Sequence, residues 1–82
     1  MKCMVEFHLK PGAKEAAIQV FEQRGPNRNP GVTFRGAWIG THSDIVFVLI
    51  ECAHEAEVAQ AAEAWRPHGE YTIHPVLDIE QY

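Results

Sequence analysis

The sequence of 82 residues is poor in basic side chains and has no long hydrophobic run. Its longest strongly apolar stretch is the six-residue segment 45–50, far short of the ~18–20 residues that cross a membrane. Seven Lys and Arg against eleven Asp and Glu give a net charge of -4, which disfavours nucleic acid as a partner. Met1 and Lys2 lead directly into a strand-like segment without a signal-peptide core. We expect one cytoplasmic domain over residues 1–82, with no nucleic-acid or membrane partner.

Cysteine is also scarce, and Cys3 and Cys52 form no Cys-x-x-Cys motif. Two cysteines in a cytoplasmic protein do not amount to a disulfide framework. The fold predicted below places Cys3 at the start of one strand and Cys52 at the end of a parallel neighbour. The two would then lie roughly 20 Å apart at about 3.3 Å per residue. We expect both to be small buried residues of hydrophobic character.

What the chain does contain is a regular succession of strand and helix patterns. Alternating apolar residues or apolar runs predict strands over 3–9, 32–39, 45–50 and 71–77, and apolar stripes at helical spacing predict helices over 13–24 and 55–65. Segments rich in Gly, Pro and Asn separate them, most densely at 25–31. Gly36 indicates a bulge, and Pro75 indicates an edge strand because proline has no N–H to donate.

The order β-α-β-β-α-β predicts an α+β fold of the ferredoxin-like kind, with a four-stranded antiparallel sheet and two helices on one face. The apolar segment 45–50 directs side chains to both faces of that sheet. A sheet with one face in water should instead alternate apolar and polar residues. We therefore expect a second copy to cover the face opposite the helices. The result is a homodimer of facing sheets, a dimeric α/β barrel.

Three segments resemble an uncharacterised bacterial family of short domains in the dimeric α/β-barrel superfamily. They are MVEFHLKPG at 4–12, AWI at 37–39 and IHPVL at 73–77. The resemblance spans nearly the whole chain and implies the ferredoxin-like fold and a face-to-face dimer, but it implies no catalytic residues. The superfamily also includes small monooxygenases, isomerases and decarboxylation-type enzymes acting on small, often aromatic or lactone-like molecules, which is an analogy of fold alone.

Glu6, His8 and His74 are the candidate catalytic residues. By strand alternation all three should lie on the face away from the helices, in two neighbouring antiparallel strands. A carboxylate beside an imidazole in a half-enclosed cavity is the usual general base near neutral pH. The alternative is a hydrogen-bond network that fixes dimer register. The other histidines, His42, His54 and His68, have no ligand-like spacing, so we expect neither a metal site nor a cofactor.

Phe34 and Trp38 are the candidate pocket residues. The alternation of the second strand predicts that they share one face and that Arg35 occupies the other. If they face the barrel interior, they line a pocket for a small apolar or aromatic ligand. The alternative is that Trp38 only fills the core or the interface.

The function therefore stays unknown from the sequence. The leading hypothesis is a small-molecule-binding dimeric α/β-barrel domain, which could be a minor enzyme with its acid/base pair in the barrel cavity. The alternative is a non-catalytic dimerisation or regulatory module.

Overall fold

The computed structural model describes residues 1–24 and 31–82. The strands are β1 (Lys2–Leu9), β2 (Val32–Ile39), β3 (Ile45–Cys52) and β4 (Gly69–Val76), the helices are α1 (Lys14–Arg24) and α2 (Glu55–Glu63), and short 3-10 helices cover Arg66–His68 and Ile79–Gln81. The loop predicted over 25–31 lies outside the described residues except for its last glycine. Within the described ranges, no helix has both the length and the hydrophobicity needed to cross a membrane.

The sheet confirms the predicted α+β architecture. Its four strands run in the order β2-β3-β1-β4, and every neighbouring pair is antiparallel. β4 lies at one edge, as Pro75 indicated. The single chain forms an open sheet and not a closed barrel, so closure of a barrel would require a second copy.

One face of the sheet, here called the helix face, carries α1, α2 and the core. Alternate residues of β1 are buried there, from Cys3 to Leu9. The stripe predicted for α2 is confirmed, since Val58, Ala61 and Ala62 are buried against the sheet. Trp65 follows the helix and contacts Phe7, with ring centroids 5.8 Å apart. Burial of each large apolar side chain contributes about 1.5–3 kcal/mol.

The prediction for the two cysteines is wrong in its geometry. β1 and β3 are antiparallel, so Cys3 pairs with Ile50 while the backbone of Cys52 hydrogen-bonds to Met1. The two free cysteines are therefore diagonal neighbours in one buried cluster at one end of the sheet. Burial raises the pKa of the Cys3 thiol, and the nearby Cys52 raises it further. Both residues are buried, as predicted.

The predicted common face of Phe34 and Trp38 is also wrong, because a bulge in β2 changes the alternation. Phe34 pairs with Ile50 but Gly36 pairs with the preceding residue of β3, Leu49, so one residue of β2 is extra. Phe34 therefore lies on the helix face. Trp38 pairs with Phe47 on the opposite face, here called the open face.

Two local contacts fix α1 and α2 at their starts. The Lys14 Nζ donates to the carbonyl oxygens of Gly40 (2.9 Å) and Ser43 (3.3 Å), which ties the first turn of α1 to the β2–β3 connection. The Glu57 carboxylate accepts from the backbone N–H of His54 at 3.1 Å and satisfies one free donor at the start of α2.

Candidate functional site

Glu6, His8 and His74 form a side-chain cluster on the open face. The Nε2 of His8 contacts Glu6 Oε2, and the Nε2 of His74 lies 3.4 Å from Glu6 Oε1. One carboxylate is thus shared by imidazoles from β1 and β4. The Glu6 side chain is 28% exposed, against 53% for His8 and 48% for His74. The structure brings the three predicted catalytic residues together on the expected face, while their catalytic role stays a prediction.

The electrostatics of this cluster separate the roles of its members. The hydrogen bond with His8 lowers the pKa of the Glu6 carboxyl, and His74 lowers it further, although desolvation opposes the shift. A carboxylate of lowered pKa keeps its charge at neutral pH and is a weak proton acceptor. Glu6 is therefore suited to orient the two imidazoles.

These three side chains do not form a metal-binding arrangement. Over residues 1–24 and 31–82, no set of three or more His, Cys, Asp or Glu side chains is arranged to hold a metal ion. In the cluster, both histidine Nε2 atoms lie against the oxygens of a single carboxylate. This arrangement is that of a hydrogen-bonded network.

The open face around the cluster is apolar along β3 and polar along β4. The strand register places Glu70, Thr72 and His74 of β4 on it. It also places six apolar side chains there, namely Met4, Trp38, Ile45, Phe47, Leu49 and Val76. At the end where β1 begins, the face becomes charged. There the guanidinium of Arg35 forms an ion pair with Glu51 at 3.1 Å and lowers the pKa of that carboxyl. The open face thus combines an apolar surface with polar groups in fixed positions.

An apolar cavity lies on the other side of the sheet, between the helices and the helix face. Its volume is about 270 Å3. All the described residues that line it are aliphatic or aromatic; among them are Phe7, Ala17, Ile18, Phe21, Phe34 and Trp65. Ala17 is the only buried residue of α1 in the described part of the chain. Because its side chain is a single methyl group, the helix leaves space above the sheet.

The two predicted pocket residues have different relations to this cavity. Phe34 faces it, with its ring centroid 5.3 Å from that of Phe21 in α1. Trp38 also borders the cavity, but its ring lies on the open face and covers Gly36. A Cβ added at Gly36 would lie 2.8 Å from that ring. The sheet therefore separates Glu6, His8 and His74 from the cavity.

Sequence reasoning missed the contribution of the helices to the cavity. Ile18 and Phe21 of α1 and Trp65 after α2 line it, yet they were not predicted as ligand contacts. The available signal was the small size of Ala13, Ala16 and Ala17 in the apolar stripe predicted over 13–24, of which the structure buries Ala17. A stripe of small residues over a sheet leaves volume that larger neighbours do not fill.

The sequence as a whole matches one known family. Residues 1–82 match the family described as Domain of unknown function (DUF3303), so the chain belongs to it. No curated protein and no solved structure matches the chain. The family description states no activity, substrate or partner.

Proposed function

We propose that this member of a family of unknown function binds a small apolar or aromatic molecule in the cavity between α1 and the sheet. The observation that carries the proposal is an apolar-lined space of about 270 Å3. An engineered apolar cavity of ~150 Å3 stays dry and binds benzene. The larger space here suits a two-ring aromatic molecule or a chain of about ten carbon atoms.

The lining restricts the chemistry of the ligand. Within residues 1–24 and 31–82 it offers no charged side chain, so a charged or strongly polar group inside the cavity would be left unpaired by these residues. A polar group on the ligand would have to stay at the mouth, beside the partly exposed Ile18. Binding would depend on apolar burial, at about 0.8 kcal/mol for each CH2 group transferred from water.

The proposal includes a homodimer through the open face. Supporting it are the apolar residues on that face and the strand order, which is that of a ferredoxin-like sheet. On the basis of the family resemblance in the sequence, we also propose that the protein is bacterial and cytoplasmic and belongs to the dimeric α/β-barrel superfamily. A second copy would enclose the Glu6, His8 and His74 cluster between two sheets.

A second candidate function is acid/base catalysis on the open face. The contact of Glu6 with two histidines favours it, because that geometry holds the imidazoles in place within an apolar surface. In the remaining alternative, a non-catalytic dimerisation or regulatory module, the same cluster only sets the register of the two sheets.

Titration of the protein with 1-naphthol and with decanoic acid by calorimetry tests the cavity. Ala37 is exposed at the edge of the cavity, so Ala37→Phe should place a ring inside it and weaken binding about tenfold or more. The matched control is Ala56→Phe on the exposed side of α2, which should bind as the original chain does.

The same titration on Glu6→Gln distinguishes the two sites. A ligand in the cavity lies across the sheet from Glu6, so its affinity should not change. Loss of affinity in Glu6→Gln but not in Ala37→Phe would move the site to the open face. If neither probe binds the original chain, the proposal of an apolar ligand fails.

A further inference from the structure

The segment 77–82, here called the arm, exposes three large apolar side chains beyond the edge strand β4. Leu77 is 67% exposed, Ile79 is 91% exposed and Tyr82 is fully exposed. Among the described residues these make up half of the exposed large hydrophobic side chains, the others being Met1, Ile18 and Trp38. Apolar exposure concentrated in six consecutive residues is typical of an interaction surface.

The arm has a fixed position relative to the open face. The Lys2 Nζ donates to both carboxylate oxygens of Asp78 at 3.1 Å. A short 3-10 helix then covers Ile79–Gln81. Residues of the arm and of the open face together line a shallow depression of about 240 Å3. The arm contributes Leu77 and Gln81. The open face contributes Lys2 and its two cross-strand neighbours, Glu51 and Val76. The arm thus lies at one end of the open face.

The area of the sheet is small for a dimer interface. Four strands of eight residues, at about 4.8 Å between strands and 3.3 Å per residue, present about 500 Å2 on one face. Two such footprints total about 1,000 Å2, near the lower limit for a specific interface, which buries roughly 1,200–2,000 Å2 of surface. The open faces alone therefore give a small interface.

The arm adds to this area. A buried aromatic side chain covers about 150–250 Å2, and large aliphatic side chains add comparable surface. Three such side chains on each of two arms raise the total to about 1,900 Å2 or more, the size of a stable interface. In a two-fold dimer, both arms make the same contact, so each addition counts twice.

We propose that the arm of each copy packs against the second copy and completes the sheet-to-sheet interface. The inference rests on the proposed homodimer and adds residues 77–82 to it. The occupant is a second copy of this chain because the arm adjoins, at Lys2, Glu51 and Val76, the open face that the dimer would cover. Ile79 and Tyr82 act as the anchors, and the Lys2–Asp78 pair holds the arm in the direction of the partner.

Sedimentation over a range of concentrations tests this. Ile79→Asp and Tyr82→Asp should each raise the dimer dissociation constant about thirtyfold or more, as expected for loss of an interface anchor. Both side chains are exposed in the single chain, so the fold should survive, as checked by circular dichroism. Glu80→Ala is the matched control within the arm and should leave the constant unchanged. Phe47→Asp, on the open face itself, should dissociate the dimer.

The possible results distinguish a failure of the arm proposal from a failure of the homodimer proposal. If Phe47→Asp dissociates the dimer while Ile79→Asp and Tyr82→Asp sediment like the original chain, the arm lies outside the interface and this inference is overturned. If the original chain sediments as a monomer up to millimolar concentration, the proposed homodimer itself fails. A defect in both arm variants, with none in Glu80→Ala, supports the arm.

Discussion

The carboxylate of Glu6 links two histidines from different strands, and its charge determines what the open face can do chemically. Its lowered pKa arises first from the hydrogen bond with His8 and then from His74. Such a group stabilises the fold in its ionised form. It also makes Glu6 an orienting residue for the two imidazoles.

The pH dependence of stability reports this contact. A folded-state pKa below the ordinary value of about 4.3 stabilises the protein above that pH, and the stabilisation is lost as the pH falls through the folded-state value. When the pH is lowered from about 5 to about 3, the unfolding free energy of Glu6→Gln should therefore decrease less than that of the original chain. Urea denaturation at a series of pH values measures this.

Glu15→Gln, on the exposed side of α1, is the control for that measurement and should retain the acid dependence of the original chain. Glu51 and Glu63 also have a lowered pKa, through Arg35 and Arg66, so part of the dependence should remain in Glu6→Gln. If the unfolding free energy of Glu6→Gln and that of the original chain depend on pH in the same way, the contact with His8 contributes nothing to stability.

The pairing of β4 with β1 depends on close approach of the two backbones at Gly69. Gly69 is buried opposite Leu9, at the first position of β4. A Cβ at this position would lie 2.2 Å from the carbonyl oxygen of His8 and 2.8 Å from the Cα of Leu9. Because these are backbone atoms, a side chain at Gly69 cannot be accommodated by a rotamer change. The two strands would have to separate.

Gly69→Ala should therefore destabilise the fold by about 1–3 kcal/mol, the range for overpacking a buried site. It should also disturb the side chain of His8, which belongs to the strand that must move. Urea unfolding followed by fluorescence measures the loss. Glu70→Ala, at the next and exposed position of β4, is the control and should stay within about 0.5 kcal/mol of the original chain. Equal stability of both variants would mean that the backbones are not in contact.

The described part of the fold fully buries few large side chains. The largest among them are Val5, Val58 and Cys3, and a cavity occupies part of the space between the helices and the sheet. A chain of this length buries only about 60–65% of its unfolded surface, so its intrinsic stability is expected to be small. Association through the open face would add stability by mass action.

A homodimer makes the melting temperature depend on protein concentration. A tenfold rise in concentration should raise the melting temperature by about 3–6 °C in a chain of this size. Phe47→Asp, on the open face, should melt at one temperature regardless of concentration, because it cannot associate. Differential scanning calorimetry of both proteins provides the comparison. A melting temperature of the original chain that is independent of concentration would contradict the dimer.

Prediction from sequence succeeded where the pattern is local. The alternation in β1 placed Glu6 and His8 on the open face, and the antiparallel neighbour β4 brought His74 to them. The stripe of α2 and the edge position of Pro75 were equally local. It failed for the common face of Phe34 and Trp38, because one extra residue at the bulge places them on opposite faces. Gly36 indicated a bulge, but glycine alone does not determine how the strand pairs beyond it.

The sequence by itself determined the order of the elements and, up to the bulge, the face on which each strand residue lies, because both follow from the periodicity of neighbouring side chains. Only the tertiary structure decided three features, namely the diagonal contact of Cys3 with Cys52, the separation of Phe34 from Trp38 and the cavity under α1. Each depends on strand register or on the spacing between a helix and the sheet. Both quantities are set by packing between residues distant in the chain.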